Sequence, residues 1–141
     1  MIVVDTTVLA YAAGGEHPLR LPCRRVFDAA NAGLVDVRTS TFVIQEFLHV
    51  VSRRRSREDA VMLTGSYADL LSPLVVLDPA QVPAALDLYR RHERLDAFDA
   101  FLAATALAAS ATLVSADRAF ATVAGLRWVS PAEPALEDLL A

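Results

Sequence analysis

The sequence contains no lysine, so all thirteen of its basic residues are arginine. That absence excludes chemistry built on a side-chain amine: Schiff bases, the phosphate-binding P-loop and the lysine of phospho-receiver domains. A single cysteine, Cys23, leaves neither an intrachain disulfide framework nor a zinc site made of several thiolates. A reducing cytoplasm is therefore the expected compartment. Histidine is also scarce, with His17, His49 and His92 only and no HExxH pair. No apolar run approaches the roughly 20 residues of a membrane-spanning helix. Asp5 breaks the opening MIVVDTTVL where a signal peptide needs a basic start and unbroken apolar residues, so neither membrane insertion nor export is expected. Thirteen basic against seventeen acidic residues give a formal charge of −4. This argues against nucleic-acid binding by bulk charge and leaves room for a small acidic site that holds cations.

What is present is an apolar, evenly patterned chain of 141 residues, 55% hydrophobic, long enough for one core and too short for two ordinary ones. A single domain over residues 1–141 is expected. Ile2-Val3-Val4 reads as a strand buried on both faces, followed by a helix over Thr6–Ala13 that Gly14-Gly15 closes. The pattern then predicts a helix over Leu21–Leu34, a weaker strand over Val35–Thr39, and helices over Phe42–Arg54, capped by Ser40 or Thr41, and Arg57–Leu71. Leu74–Leu77 reads as a further buried strand ended by Asp78, a helix cap. Helices follow over Ala80–Glu93 and Asp96–Ala109, then a strand over Thr112–Ser115, a short helix over Asp117–Ala124, a strand over Arg127–Val129 and a tail helix over Pro134–Leu140. Strands alternating with helices favour an α/β fold with a central, mostly parallel sheet of about five short strands covered on both faces.

In open α/β sheets, ligands bind beyond the carboxyl ends of the strands. Asp5 and Asp117 fall at that edge, each with hydroxyls nearby, in Val4-Asp5-Thr6-Thr7 and Val114-Ser115-Ala116-Asp117. Each acid taken singly has an ordinary structural explanation. Asp5 and Asp117 precede short helices and suit N-caps. Glu46 shares a polar helix stripe with Gln45, His49 and Arg53, which a solvated face explains. Asp96 and Asp99 open a helix three residues apart, as in a capping box. Taken together, Asp5, Glu46, Asp99 and Asp117 are four acids that such a sheet gathers onto one edge.

Four segments, in order and at matching spacing, resemble the successive motifs of PIN-domain ribonucleases of the VapC toxin type: Ile2-Val3-Val4-Asp5-Thr6-Thr7-Val8-Leu9, Val43-Ile44-Gln45-Glu46, Leu95–Ala106, and Leu113-Val114-Ser115-Ala116-Asp117-Arg118-Ala119-Phe120. The resemblance extends from residue 2 to about residue 131. It implies a three-layer α/β/α PIN-like domain, with Asp5, Glu46 and Asp99 as the core metal-binding acids and Asp117 as the fourth. Thr7 and Ser115 match the supporting polar positions, while Asp96 has no place in the core motif and stays a cap. Phe98 and Phe101 depart from the aliphatic or histidine side chains also common around Asp99. The resemblance also implies an endoribonuclease acting on RNA, a homodimer and a cognate antitoxin protein.

Oxygen-only ligands favour Mg2+ or Mn2+ over zinc, and like charges crowded together raise one another's pKa until a cation offsets them. Arginine suits bidentate phosphate contacts, so Arg53, Arg54, Arg55 and Arg57, the densest basic run, are the candidate substrate-binding residues. A solvated helix end explains the same run. Two rivals stand beside the nuclease reading: an inactive PIN-like module that binds RNA or protein without cutting, and a phosphatase with an aspartate nucleophile. The second needs another aspartate two positions after the first, where this chain has Thr7.

Overall fold

The computed structural model describes residues 1–141. All three residues of the first strand, β1 (Ile2–Val4), are buried, as expected for an unalternating β-branched run between two layers. Helix α1 (Thr6–Ala13) follows, and α2 (Arg20–Asn31) turns Cys23, Val26, Phe27 and Ala29 inward on one stripe. Beyond α2, Gly33 takes a positive φ of 67°, which a glycine adopts without the clash of a Cβ. Strand β2 (Val37–Arg38) leads into α3 (Thr41–Ser52) and α4 (Arg57–Leu70), capped respectively by Ser40 Oγ accepting from Val43 N and Ser56 Oγ accepting from Asp59 N. A 3-10 turn at Pro79–Gln81 precedes α5 (Val82–Arg91), and α6 (Ala97–Ala108) runs back to β3 (Thr112–Val114). Strand β4 (Arg127–Val129) and α7 (Ala135–Leu140) complete the chain. No helix is long and apolar enough to cross a membrane.

The four strands are parallel in the order β2-β1-β3-β4, with Ile2, Val3 and Val4 opposite Thr112, Leu113 and Val114. The chain leaves β1 for one side of the sheet and β3 for the other, so the crevice where connections diverge lies beyond the carboxyl ends of these two strands. Helices α1 to α4 and α7 pack as one group and α5 with α6 as another, touching through α3 and α6. With β1 and β3 wholly buried, this is the α/β/α layering of the PIN-like class. One cluster of 33 buried residues forms the core, with Phe47, Phe120, Leu9 and Leu113 among its largest members.

The expected fifth strand at Leu74–Leu77 shrinks to a single bridge between Ser40 and Val75. Val75 N donates to Thr39 O and Thr41 N donates to Val75 O, but α3 begins at Thr41 and removes any partner for the residues beyond, leaving Val76 66% exposed. The run is apolar without being a buried strand. The helix expected from Ala80 divides into the 3-10 turn and α5, because Asp78 and Gln81 form a reciprocal capping box around the turn. The short helix expected over Asp117–Ala124 is a 3-10 helix, Arg118–Thr122, capped by Asp117.

Candidate metal centre

Asp5 leaves β1 and caps α1, with Oδ1 accepting from Thr6 N at 2.6 Å. Its other oxygen accepts from Thr7 Oγ1 at 2.9 Å and from Ser115 Oγ at 2.6 Å. Ser115, fully buried after β3, also accepts from Asp117 N at 3.0 Å, and Thr7 Oγ1 accepts from Ala116 N at 3.1 Å. These bonds fasten the ends of β1 and β3 side by side, which puts Asp5 and Asp117 in the crevice the topology creates. Both expected supporting hydroxyls, Thr7 and Ser115, are thus part of the assembly.

Glu46 reaches the same place from α3, where its carboxylate accepts a short hydrogen bond from Thr6 Oγ1. Thr6 was not among the sequence candidates. Its only signal was adjacency to Asp5, and the tertiary contact between α1 and α3 gives it its partner. Asp99 arrives from the first turn of α6, held by Asp96 Oδ1 accepting from Asp99 N at 2.8 Å. The Asp99 carboxylate turns back toward the Asp96 backbone N–H, the weakest of the influences on it, and pairs with no side chain. Asp117 is half-buried and uses one oxygen to cap Ala119 N at 2.8 Å.

The electrostatics are those of an uncompensated acidic cluster. Burial pushes the Asp5 carboxyl up despite the hydrogen bonds it accepts from Ser115, Thr7 and Thr6. Burial likewise raises Glu46, against the Thr6 hydroxyl that lowers it, and the charges of Asp5 and Asp96 raise it further. Asp99 is pushed up to about 7, first by burial and then by Asp96, Asp5 and Asp117. These mutual effects mean that the four acids, with Asp96 beside them, share one field. The ion pairs of the chain lie elsewhere, at Arg25–Glu137, Arg38–Asp36 and Asp87 with Arg90 and Arg91. Of the chain's cations only His49 acts on the cluster, as the smallest influence on Glu46, and none forms an ion pair with it.

As the side chains stand, no three acidic, histidine or cysteine groups converge tightly enough to coordinate one ion together. Glu46 is engaged by Thr6 and Asp117 by Ala119. The donor chemistry nevertheless fits a hard divalent cation: four carboxylates from β1, α3, α6 and the end of β3, of which Asp5, Glu46 and Asp99 have raised pKa, and Asp99 has no side-chain partner.

The family model described as PIN domain matches residues 2–126. The chain belongs to the PIN domain family. Along nearly its whole length this PIN domain is 43% identical to Ribonuclease VapC7 of Mycobacterium tuberculosis, the match covering 99% of this chain and 98% of that protein. Ribonuclease VapC23 of the same species is 33% identical across 70% of this chain and 78% of its own. Among solved structures, VapBC-1 from nontypeable Haemophilus influenzae superposes with a TM-score of 0.73 over 94% of this chain and all of that one, at 15% identity. FitAcB from Neisseria gonorrhoeae superposes with a TM-score of 0.71 over 93% of this chain and 98% of that one, at 21% identity. The similarity to both structures is one of fold.

The arginines lie apart from the acids. Arg53 caps the end of α3, Arg54 and Arg55 occupy the turn and Arg57 begins α4, all exposed. Arg55 Nη2 donates to Ala13 O at 3.4 Å, at the opposite end of α1 from Asp5. A cavity of about 500 Å³ lies there, lined in part by Ala10, Gly14, Val51, Arg54 and Arg55. An eight-residue helix rises about 12 Å, so the length of α1 separates Asp5 from the end that Arg55 meets. His49 is exposed beside Glu46 on α3, as its polar stripe suggested.

Proposed function

We propose that this PIN domain is a metal-dependent endoribonuclease, the toxin component of a VapBC-type toxin–antitoxin pair, and that Asp5, Glu46, Asp99 and Asp117 hold Mg2+ or Mn2+. The observation that carries the reading is the gathering of four acids at the strand ends, with Asp5, Glu46 and Asp99 raised in pKa and none of the four in an ion pair. The kinship with VapC ribonucleases supports RNA as substrate. Bound Mg2+ or Mn2+ supplies Lewis-acid polarisation of a phosphodiester and acidifies an attacking water.

The chain's own residues divide the remaining work. Asp5, fixed by three side-chain and backbone donors, is the rigid acid of the set. Ser115 and Thr7 orient it and set its distance from Asp117. Asp99 has no side-chain partner, and its pKa of about 7 makes it ready to exchange a proton for a cation near neutrality. Arg53, Arg54 and Arg57 are exposed and unpaired, suited to phosphates some way along the strand. The remaining partners follow from the same kinship: a second copy of the chain, and an antitoxin that covers the acids. The single cysteine supports a reducing cytoplasm as the protein's compartment.

The test is cleavage of single-stranded RNA by the wild type and by Asp5→Asn, with Mg2+ or Mn2+ and with chelator. Cleavage by the wild type that both chelator and substitution abolish is expected. Cleavage surviving both sinks the metal mechanism, and RNA binding without any cleavage favours the inactive module. Turnover of small phosphomonoesters in place of RNA would favour the phosphatase.

A further inference from the structure

One aromatic ring stands in water beside the acids. Phe98 lies in the first turn of α6, between the cap Asp96 and the acid Asp99, and is 61% exposed. The other five phenylalanines are buried or half-buried. A lone exposed apolar side chain is ordinary, so its position is what matters. The bond from Asp99 N to Asp96 Oδ1 anchors the turn that carries it. Phe98 and Phe101 are three residues apart and hence neighbours on the helix surface. Phe101 in turn meets Phe42 edge-on, with ring centroids 5.9 Å apart, and Phe42 sits one turn before Glu46 on α3. Arg94, two residues before Asp96, and Arg118, directly after Asp117, are both exposed, and neither forms an ion pair.

We infer that Phe98 is a base-stacking platform, holding an unpaired base of the substrate beside the phosphate that the acids address, while Arg94 and Arg118 hold neighbouring phosphates. This rests on the nuclease reading above and extends it to the conformation of the substrate. A phosphodiester offers a phenyl ring nothing, but every base has a π-face, and stacking on an aromatic side chain tolerates any sequence. Bases inside a duplex are already stacked on each other and lie out of reach. The substrate class is therefore single-stranded RNA or an RNA loop.

The experiment uses a randomised, fluorescein-labelled single-stranded RNA pool and the same pool annealed into duplex. Binding is read by anisotropy with chelator and cleavage with Mg2+ or Mn2+, for the wild type, Phe98→Ala, Phe98→Leu and Phe98→Trp. Loss of one stacked base corresponds to roughly a five- to 150-fold fall in affinity, expected for Phe98→Ala and for Phe98→Leu, which keeps apolar bulk without the ring. The loss appears in KM more than in kcat, and Phe98→Trp retains wild-type affinity. Leu86→Ala, at a residue 56% exposed on α5, retains it too. Circular dichroism confirms folding, which an exposed substitution leaves intact. Wild-type affinity in both Phe98→Ala and Phe98→Leu, equal grip on duplex, or a change in sedimentation coefficient showing that the ring joins two copies overturns the inference. A wild type that cleaves no RNA with either metal overturns the nuclease reading itself, a result distinct from cleavage that is indifferent to Phe98.

Discussion

Ser115 Oγ donates to Asp5 Oδ2 at 2.6 Å across a sequence separation of 110 residues, and the same oxygen accepts from Asp117 N at 3.0 Å. One buried hydroxyl thereby sets the relative positions of two of the four acids. Ser115→Ala is expected to cost about 1–3 kcal/mol of unfolding free energy, because a buried carboxylate loses a donor. It is also expected to weaken Mn2+ binding about 10- to 100-fold, as removal of an orienting partner does. Urea unfolding without metal and a Mn2+ titration measure the two effects, and no change in either would reduce Ser115 to space-filling.

The Asp99 carboxyl sits at about 7 in the folded chain against 3.8 when free. Between those values the folded state holds a proton that the unfolded state has released, so this group's contribution to stability is present below pH 3.8 and lost as pH rises through 7. Asp5 and Glu46, also raised, act in the same direction. Metal-free protein should therefore show a falling Tm across this range, with Asp99→Asn flattening the fall, raising Tm above neutrality and abolishing cleavage. A rising Tm in chelator would contradict the acidic-cluster electrostatics.

Thr6 Oγ1 is the hydrogen-bond donor to the half-buried Glu46 carboxylate. Thr6→Val should cost about 1.5–3 kcal/mol, the range for losing a hydrogen bond to a charged group, and raise the Glu46 pKa further. The pH profile of cleavage should shift upward, while Thr6→Ser restores both stability and profile. A profile unmoved by Thr6→Val would leave the threonine a packing residue.

Arg24 Nε donates to Ala12 O at 3.0 Å, and Arg55 Nη2 to Ala13 O at 3.4 Å, so two arginines complete the carbonyl end of α1. Arg24→Ala should lower stability by about 0.5–1.5 kcal/mol, whereas Arg53→Ala and Arg54→Ala stay within about 0.5 kcal/mol. If Arg53, Arg54 and Arg57 meet phosphates, each alanine substitution reduces the salt slope of single-stranded RNA binding by about 0.7. Denaturant melts and binding at several salt concentrations separate the structural arginines from the substrate-facing ones.

Much of this protein was legible in its sequence. Short apolar-centred triplets ending in Asp5 and Ser115, caps at Ser40 and Asp96, and the breaker Gly33 act over a few residues, so α1 and β4 match their expected bounds to the residue. The Leu74–Leu77 run misled because apolar composition speaks for burial and not for a partner. Whether a strand forms depends on what lies across the ladder, and α3 had already taken the chain away.

The sequence by itself determined which acids exist, the elements that carry them and the absence of any lysine to neutralise them. Only the tertiary structure decided that Thr6 faces Glu46, that Asp99 joins the field of Asp5 and Asp117 while Asp96 does the capping, that Arg55 turns to the far end of α1, and that Phe98 alone of the phenylalanines is exposed. Capping and periodicity are settled by neighbours along the chain. Charge coupling and long-range hydrogen bonds fall off with distance through space, so they acquire values only when parallel strands bring remote segments to one edge.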